Sequence, residues 1–212
     1  MTAERVLLLR HARTAYNAEA RFQGQLDIPL DEIGIGQAKR VADTLALELA
    51  DESVRILSSD LSRAAQTADA VAARLGVEVQ PEPRLREINA GEWEGLLRDE
   101  IIARWPDEYA AWRQGDSDVQ IGGGESRLDA GVRAAEAITE AEAAMDGGTL
   151  ICVTHGGSLR AAVFLLLGTP SWPWHALEGL RNAHWAELQK TSRGWRLSCW
   201  NLGTLNSGSA DR

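Results

Sequence analysis

The stretch VLLLRHARTAYN (Val6–Asn17) decides the fold. Four apolar residues, Val6 to Leu9, run without interruption into Arg10 and His11. A short unbroken apolar run of this kind suits a strand buried on both faces of a sheet. Its exit then carries a cation and a titratable ring. In open α/β sheets ligands bind beyond the carboxyl ends of the strands, so Arg10 and His11 are expected at a ligand crevice.

Outward from this stretch, strand-like and helix-like segments alternate. DEIGIGQAKRVADTLALELA places Ala38, Val41, Ala42, Leu45 and Leu49 at helical spacing, and VRILSS follows as a second apolar run. DLSRAAQTADAVAARLG reads as a helix with Asp60 as N-cap and Gly76 as C-terminal stop. VEVQ and RLREI suggest a further short strand and its exit. A loop-rich middle containing Pro106 and Gly122 to Gly124 leads to an amphipathic helix in ESRLDAGVRAAEAITEAEAAM. GGTLICVTHGG is a strand ending at His155, SLRAAVFLLLG a core helix, and NAHWAELQK with GWRLSCWN a closing hairpin. This alternation predicts an α/β three-layer sandwich: a mostly parallel central sheet with helices on both faces. One domain over residues 1–203 is expected, with a flexible tail over 204–212.

A net charge of −9 argues against nucleic acid or an anionic membrane surface as partner, because the bulk field repels both. The longest apolar run, Ala161 to Leu167, is far shorter than the ~18 residues a membrane span needs. MTAER leads directly into the candidate strand without a secretory signal pattern, so a cytoplasmic protein is expected. Cys152 and Cys199 sit inside apolar strand-like runs and read as buried free thiols.

Charged or titratable groups follow four strand-like runs: Arg10 and His11, Arg63, Glu87, and His155. A lone histidine at such a place is usually structural; four ordered arrivals at one sheet edge suggest a site. His175 and His184 stand outside this pattern and read as packing or surface residues. Ser158 is an ordinary helix-start residue, since Arg160 occupies the second glycine position of a G-x-S-x-G elbow. No H-E-x-x-H, paired C-x-x-C or G-x-x-x-x-G-K-[ST] pattern is present, so no metal or nucleotide loop is indicated.

LLLRHARTAYN resembles the R-H-G-x-T-x-x-N signature of the histidine phosphatase superfamily, also called the phosphoglycerate mutase-like family. RFQGQLDIPLDEIGIGQA, SSDLSRAAQTA, RLREINAGEWEG, GGGES and VTHGG continue the resemblance in order. What it implies is a phosphoryl-transfer enzyme that needs neither metal nor cofactor and acts on a small phosphorylated substrate. His11 would be the transiently phosphorylated nucleophile, Arg10 and Arg63 the phosphate-binding guanidinium pair, and His155 a stabiliser of charge on the phosphoryl oxygens. Glu87 would protonate the leaving oxygen, with its acidity reduced by the nearby dianion. Asn17, Gln23 and Gly24 match phosphate- and substrate-contacting positions, and Gly156 offers a backbone N–H at a helix start. Arg21 is a further candidate for the leaving group's polar end, with a solvated surface arginine as the alternative. Ala12 stands where the signature has glycine, and alanine disfavours φ > 0.

REINAGEWEGL resembles the phosphatase branch rather than the mutase pattern E-R-x-Y-G-x-L-x-G-L, and the motif set is similar to glucosyl-3-phosphoglycerate phosphatases of actinobacteria. A mutase, a broad sugar-phosphate phosphatase, or a silent phosphate-binding protein are the alternatives. Homodimers are common in the family, and the C-terminal hairpin is the candidate interface. The eight tryptophans read mainly as packing, with Trp93 and Trp112 the better candidates for a sugar-binding wall.

Overall fold

The computed structural model describes residues 3–169 and 174–204. Val6 to Leu9 lie in β1 (Arg5–Arg10) and are fully buried. Leu7 and Leu9 point into one core cluster and Val6 and Leu8 into the other. That period-two split explains why the run is continuously apolar. Each such side chain contributes roughly 1.5–3 kcal/mol by burial.

The remaining elements are α1 (Ala15–Ala18), α2 (Glu32–Glu48), β2 (Val54–Ser58), α3 (Ser62–Leu75), β3 (Val79–Pro81), α4 (Arg98–Arg104), α5 (Pro106–Gln114), α6 (Arg127–Ala143), β4 (Thr149–Thr154), α7 (Gly156–Leu166), β5 (Trp185–Thr191) and β6 (Gly194–Leu202). The six strands form one sheet in the order β3-β2-β4-β1-β5-β6. The first four strands are mutually parallel, while β5 runs antiparallel to β1 and β6 antiparallel to β5. Helices α2 and α3 bury Val41, Leu45, Ala68 and Val71 in one cluster. Helices α6 and α7 bury Ala134, Ile138, Leu159 and Val163 in the other. The architecture is therefore the expected α/β three-layer sandwich.

VEVQ contributes to β3 and RLREI is its exit, where Pro83, which has no N–H to give a ladder, opens a 3-10 turn over Pro83–Leu85. Other local expectations are corrected. The middle segment is helical, because Pro106 begins α5 at its first turn rather than breaking the chain. Asp60 does not cap α3. Leu61 holds that position without a side-chain bond, and the Asp60 carboxylate pairs with Arg86. Gly76 does end α3, at φ 71°. Cys152 is buried and Cys199 only half-buried. Trp172 and all of the expected tail except Thr204 lie outside the described residues.

Candidate active site

Strand register brings the candidate residues together. Arg10 pairs with Thr154 across β1 and β4, and Ser58 pairs with Val153 across β2 and β4. His11, His155 and Ser59, each one residue past its strand, therefore arrive side by side at the carboxyl edge. The two imidazole centroids are 5.1 Å apart.

His11 is nearly fully buried, and its Nδ1 lies 2.7 Å from the Ala12 carbonyl. A carbonyl only accepts, so Nδ1 carries the proton and Nε2 keeps its lone pair. Burial, then the Arg63 and Arg10 charges, hold its pKa well below the usual histidine range. His155 is bonded on both sides: Arg63 Nε donates to Nδ1 at 3.2 Å, and Nε2 lies 2.8 Å from Ser59 Oγ. Its pKa is likewise far below the usual range, through burial, Arg63, His11 and Arg10. Both rings are neutral in this arrangement. Ala12 is accommodated: it is absent from the positive-φ positions, and its N–H donates to Thr67 Oγ1.

Arg63 sits in the first turn of α3, completely buried. Its Nη1 and Nη2 donate to the Leu26 and Gly24 carbonyls, and burial pulls its pKa down to about 10. Arg10 Nη1 donates to the Leu180 carbonyl, whereas its buried Nε has no partner among the described residues. Burial lowers its pKa as well, against the opposing pull of Glu87. Two guanidinium groups thus line the same cavity as His11 and act on its ring through their charge.

Glu87 follows the 3-10 turn after β3 and meets the start of α7. Its carboxylate accepts from the Gly157 and Ser158 N–H groups at 3.0 and 2.9 Å, and from Ile88 N–H at 2.9 Å. Gly157 permits that approach, since a Cβ there would lie 2.7 Å from Glu87 Oε1. The α7 N-terminus, expected from sequence to face an anion, is therefore capped by Glu87 through Gly157 and Ser158. Gly156 instead packs against the Arg10 guanidinium.

These groups open into a cavity of about 300 Å³ lined by Arg10, His11, Asn17, Arg21, Gln23, Gly24, Arg63 and Glu87, with Trp112 and other apolar groups on a further side. His155 and Gly156 lie behind this lining. Asn17 completes the capping box of α1 with Thr14, and Gln23 Oε1 accepts from Thr14 Oγ1. Arg21 is tied to Glu19 and to the Gly95 carbonyl at the rim. Trp93 is fully buried behind the wall. Neither His175, which is exposed, nor His184 lines the cavity.

Sequence reasoning missed four supports. Ser59 fixes the His155 tautomer. Asn182 Nδ2 bridges the His11 carbonyl and Asn17 Oδ1 at 3.0 and 3.1 Å. Arg133 grips the carbonyls of Arg84, Arg86 and Glu87. Glu94 Oε1 receives the Gln25 and Ala90 N–H groups. Two motifs of the resemblance contain one of them each, SSDLSRAAQTA with Ser59 and RLREINAGEWEG with Glu94, without indicating either role.

A carboxyl-edge crevice in which a neutral imidazole shares the lining with two guanidinium groups defines a phosphomonoesterase of the histidine type. The chain belongs to the histidine phosphatase superfamily, branch 1, whose pattern matches residues 6–203. It is 38% identical to a glucosyl-3-phosphoglycerate phosphatase of Mycobacterium tuberculosis and 37% identical to one of Mycolicibacterium vanbaalenii, each alignment covering 95% of this chain and 96% of the relative. The solved mycobacterial glucosyl-3-phosphoglycerate phosphatase in complex with VO3 superposes with a TM-score of 0.87 at 38% identity, covering 95% of this chain and all of that one. Among the described residues no helix is long and apolar enough to cross a membrane.

Proposed function

We propose that this phosphatase hydrolyses glucosyl-3-phosphoglycerate through a phosphohistidine on His11, without a metal. The observation that carries the mechanism is the His11 Nδ1 contact to the Ala12 carbonyl at 2.7 Å, which leaves Nε2 unprotonated on a ring that lines the cavity together with Arg10 and Arg63. In-line attack on phosphorus breaks the P–O ester bond. The two guanidinium charges balance the phosphoryl oxygens, the work a metal ion does in other phosphatases. The proton of the substrate's phosphate monoanion passes by way of Glu87 to the departing alkoxide, and Glu87 then takes one from the water that cleaves the P–N bond. Asn17, Gln23, Gly24 and Arg21 position the substrate. His155 holds the Arg63 fork from behind, and Gly156 lets Arg10 pack close. Cytoplasmic location suits the two free thiols. The β6 edge of the sheet is the surface for a homodimer, which light scattering would test.

The deciding experiment is phosphate release in EDTA from glucosyl-3-phosphoglycerate, 3-phosphoglycerate and a panel of sugar phosphates, with the native protein and His11→Ala. Release from the glucosyl substrate that is lost in the variant supports the reading. Interconversion of phosphoglycerates in the presence of 2,3-bisphosphoglycerate would make the protein a mutase, and ligand binding without turnover a silent phosphate binder.

A further inference from the structure

The cavity has two chemically distinct ends. Arg10, His11, Asn17, Arg63 and Glu87 supply charge and hydrogen bonds, while Phe22, Ile88, Ala90, Trp112 and Ile121 form an apolar wall. A phosphate dianion gains nothing from apolar surface, and burying charge against it is costly. The wall therefore serves the group that departs.

Within it, Trp112 is held as a rigid plate. Its indole Nε1 has no hydrogen-bond partner among the described residues, so packing alone fixes the ring. The Arg127 guanidinium lies 4.6 Å from the ring centroid and donates to Trp112's own carbonyl at 2.8 Å. Phe22, Tyr109 and Trp93 pack around it with centroids 5.5, 5.8 and 6.0 Å away, and Trp112 stays half-buried where it lines the cavity.

Arg127 is only 2% exposed and has no carboxylate partner among the described residues. Two carbonyls and the rings of Trp112 and Trp174 are what it receives instead. A buried guanidinium without an acid carries a desolvation cost, and burial lowers the Arg127 pKa to about 9. Here its contacts immobilise one wall of the cavity.

We infer that Trp112, clamped by Arg127, is the platform on which the sugar ring of the leaving group stacks by its C–H face. This rests on the substrate reading above, and it names the subsite that separates a glycosylated phosphoglycerate from the bare acid. A hexopyranose offers a flat apolar face to the plate and hydroxyls to Tyr16, Gln23 and Arg21 on the lining. A bare glycerate has no such face, so the plate is idle toward it.

The test is kcat and KM for phosphate release from glucosyl-3-phosphoglycerate and from 3-phosphoglycerate, with native protein, Trp112→Ala and Trp112→Phe. The expected result is a KM ratio between the two substrates that shifts roughly tenfold against the glucosyl compound in Trp112→Ala, with most of the shift recovered by Trp112→Phe. An equal KM change on both substrates, or none on either, would overturn the platform while leaving the substrate reading intact. Native protein that hydrolyses neither compound would overturn the substrate reading and the platform with it.

Discussion

At the residue scale, His155 owes its protonation state to its neighbours. Arg63 can only donate, so Nδ1 must accept, and Nε2–H then needs an acceptor, which Ser59 Oγ supplies at 2.8 Å. Ser59→Ala removes that acceptor and leaves a buried N–H unpaired, a cost of about 1–3 kcal/mol that frees the ring to adopt the other tautomer. Arg63 would then lose its hold at Nε. We expect kcat to fall about tenfold with KM changed less, and Ser59→Thr to restore most of it. A purely structural loss would lower the melting temperature but leave kcat of the folded enzyme intact. Glu87 gives a second residue-scale prediction. Glu87→Gln cannot donate a proton to a sugar or glycerate alkoxide, whereas p-nitrophenolate departs with little help. Its kcat is expected to drop at least about a hundredfold on the glucosyl substrate and far less on p-nitrophenyl phosphate. Equal losses would remove Glu87 from the acid role.

At the element scale, the loop after α1 connects two parts of the site. Gly24 adopts φ 51°, its carbonyl accepts from Arg63 Nη2, and a Cβ there would fall 2.1 Å from Glu94 Oε1. Glu94 has little room to yield, because that oxygen already receives the Gln25 and Ala90 N–H groups. Gly24→Ala should therefore destabilise by about 1–3 kcal/mol, lower the melting temperature by several degrees, and cut activity through a displaced Arg63. Gly123→Ala is the control: φ is 73°, but no atom lies within 4 Å of the added carbon, so only the intrinsic left-handed cost of about 1–2 kcal/mol remains and activity persists. Thermal melts and phosphate-release rates on both variants check this. Such contacts mark the limit of what the sequence reveals. The β1 and β4 runs are continuously apolar, β2 is a shorter apolar run and the stripes of α2, α3 and α6 are periodic, hence legible, and the groups at strand exits follow from them. Helix α5 was hidden because Pro106 marks a first turn as readily as a break. Asp60 looked like a cap, but Arg86 offered it a stronger partner. Ser59 meets a ring brought near by strand register, and Asn182 and Arg133 bond to carbonyls of segments distant in sequence, which no local pattern encodes.

At the scale of the whole molecule, the candidate site is a cluster of neutralised or unpaired groups buried in an otherwise acidic protein. Such a cluster makes stability depend on pH. His11 and His155 have folded pKa values well below that of an unfolded histidine, about 6.5. Below that pH the unfolded chain binds two protons that the folded chain refuses, so acid favours unfolding. The contribution is fully present above pH 6.5 and is lost as pH falls toward the folded values, by at most about 1.4 kcal/mol per pH unit for each ring. The carboxylates that arginines or backbone N–H groups stabilise, including Asp60, Glu82 and Asp129, have folded pKa values below their unfolded ones of 3.8 and 4.5. Their contribution is lost only at still lower pH. Between pH 6.5 and 5 the two histidines therefore dominate. Calorimetry of the protein in phosphate-free buffer should show the melting temperature falling across that window. His155→Asn should roughly halve the slope, because one of the two proton-refusing rings is gone. A slope unchanged in His155→Asn would mean that the site does not govern the acid sensitivity of the fold.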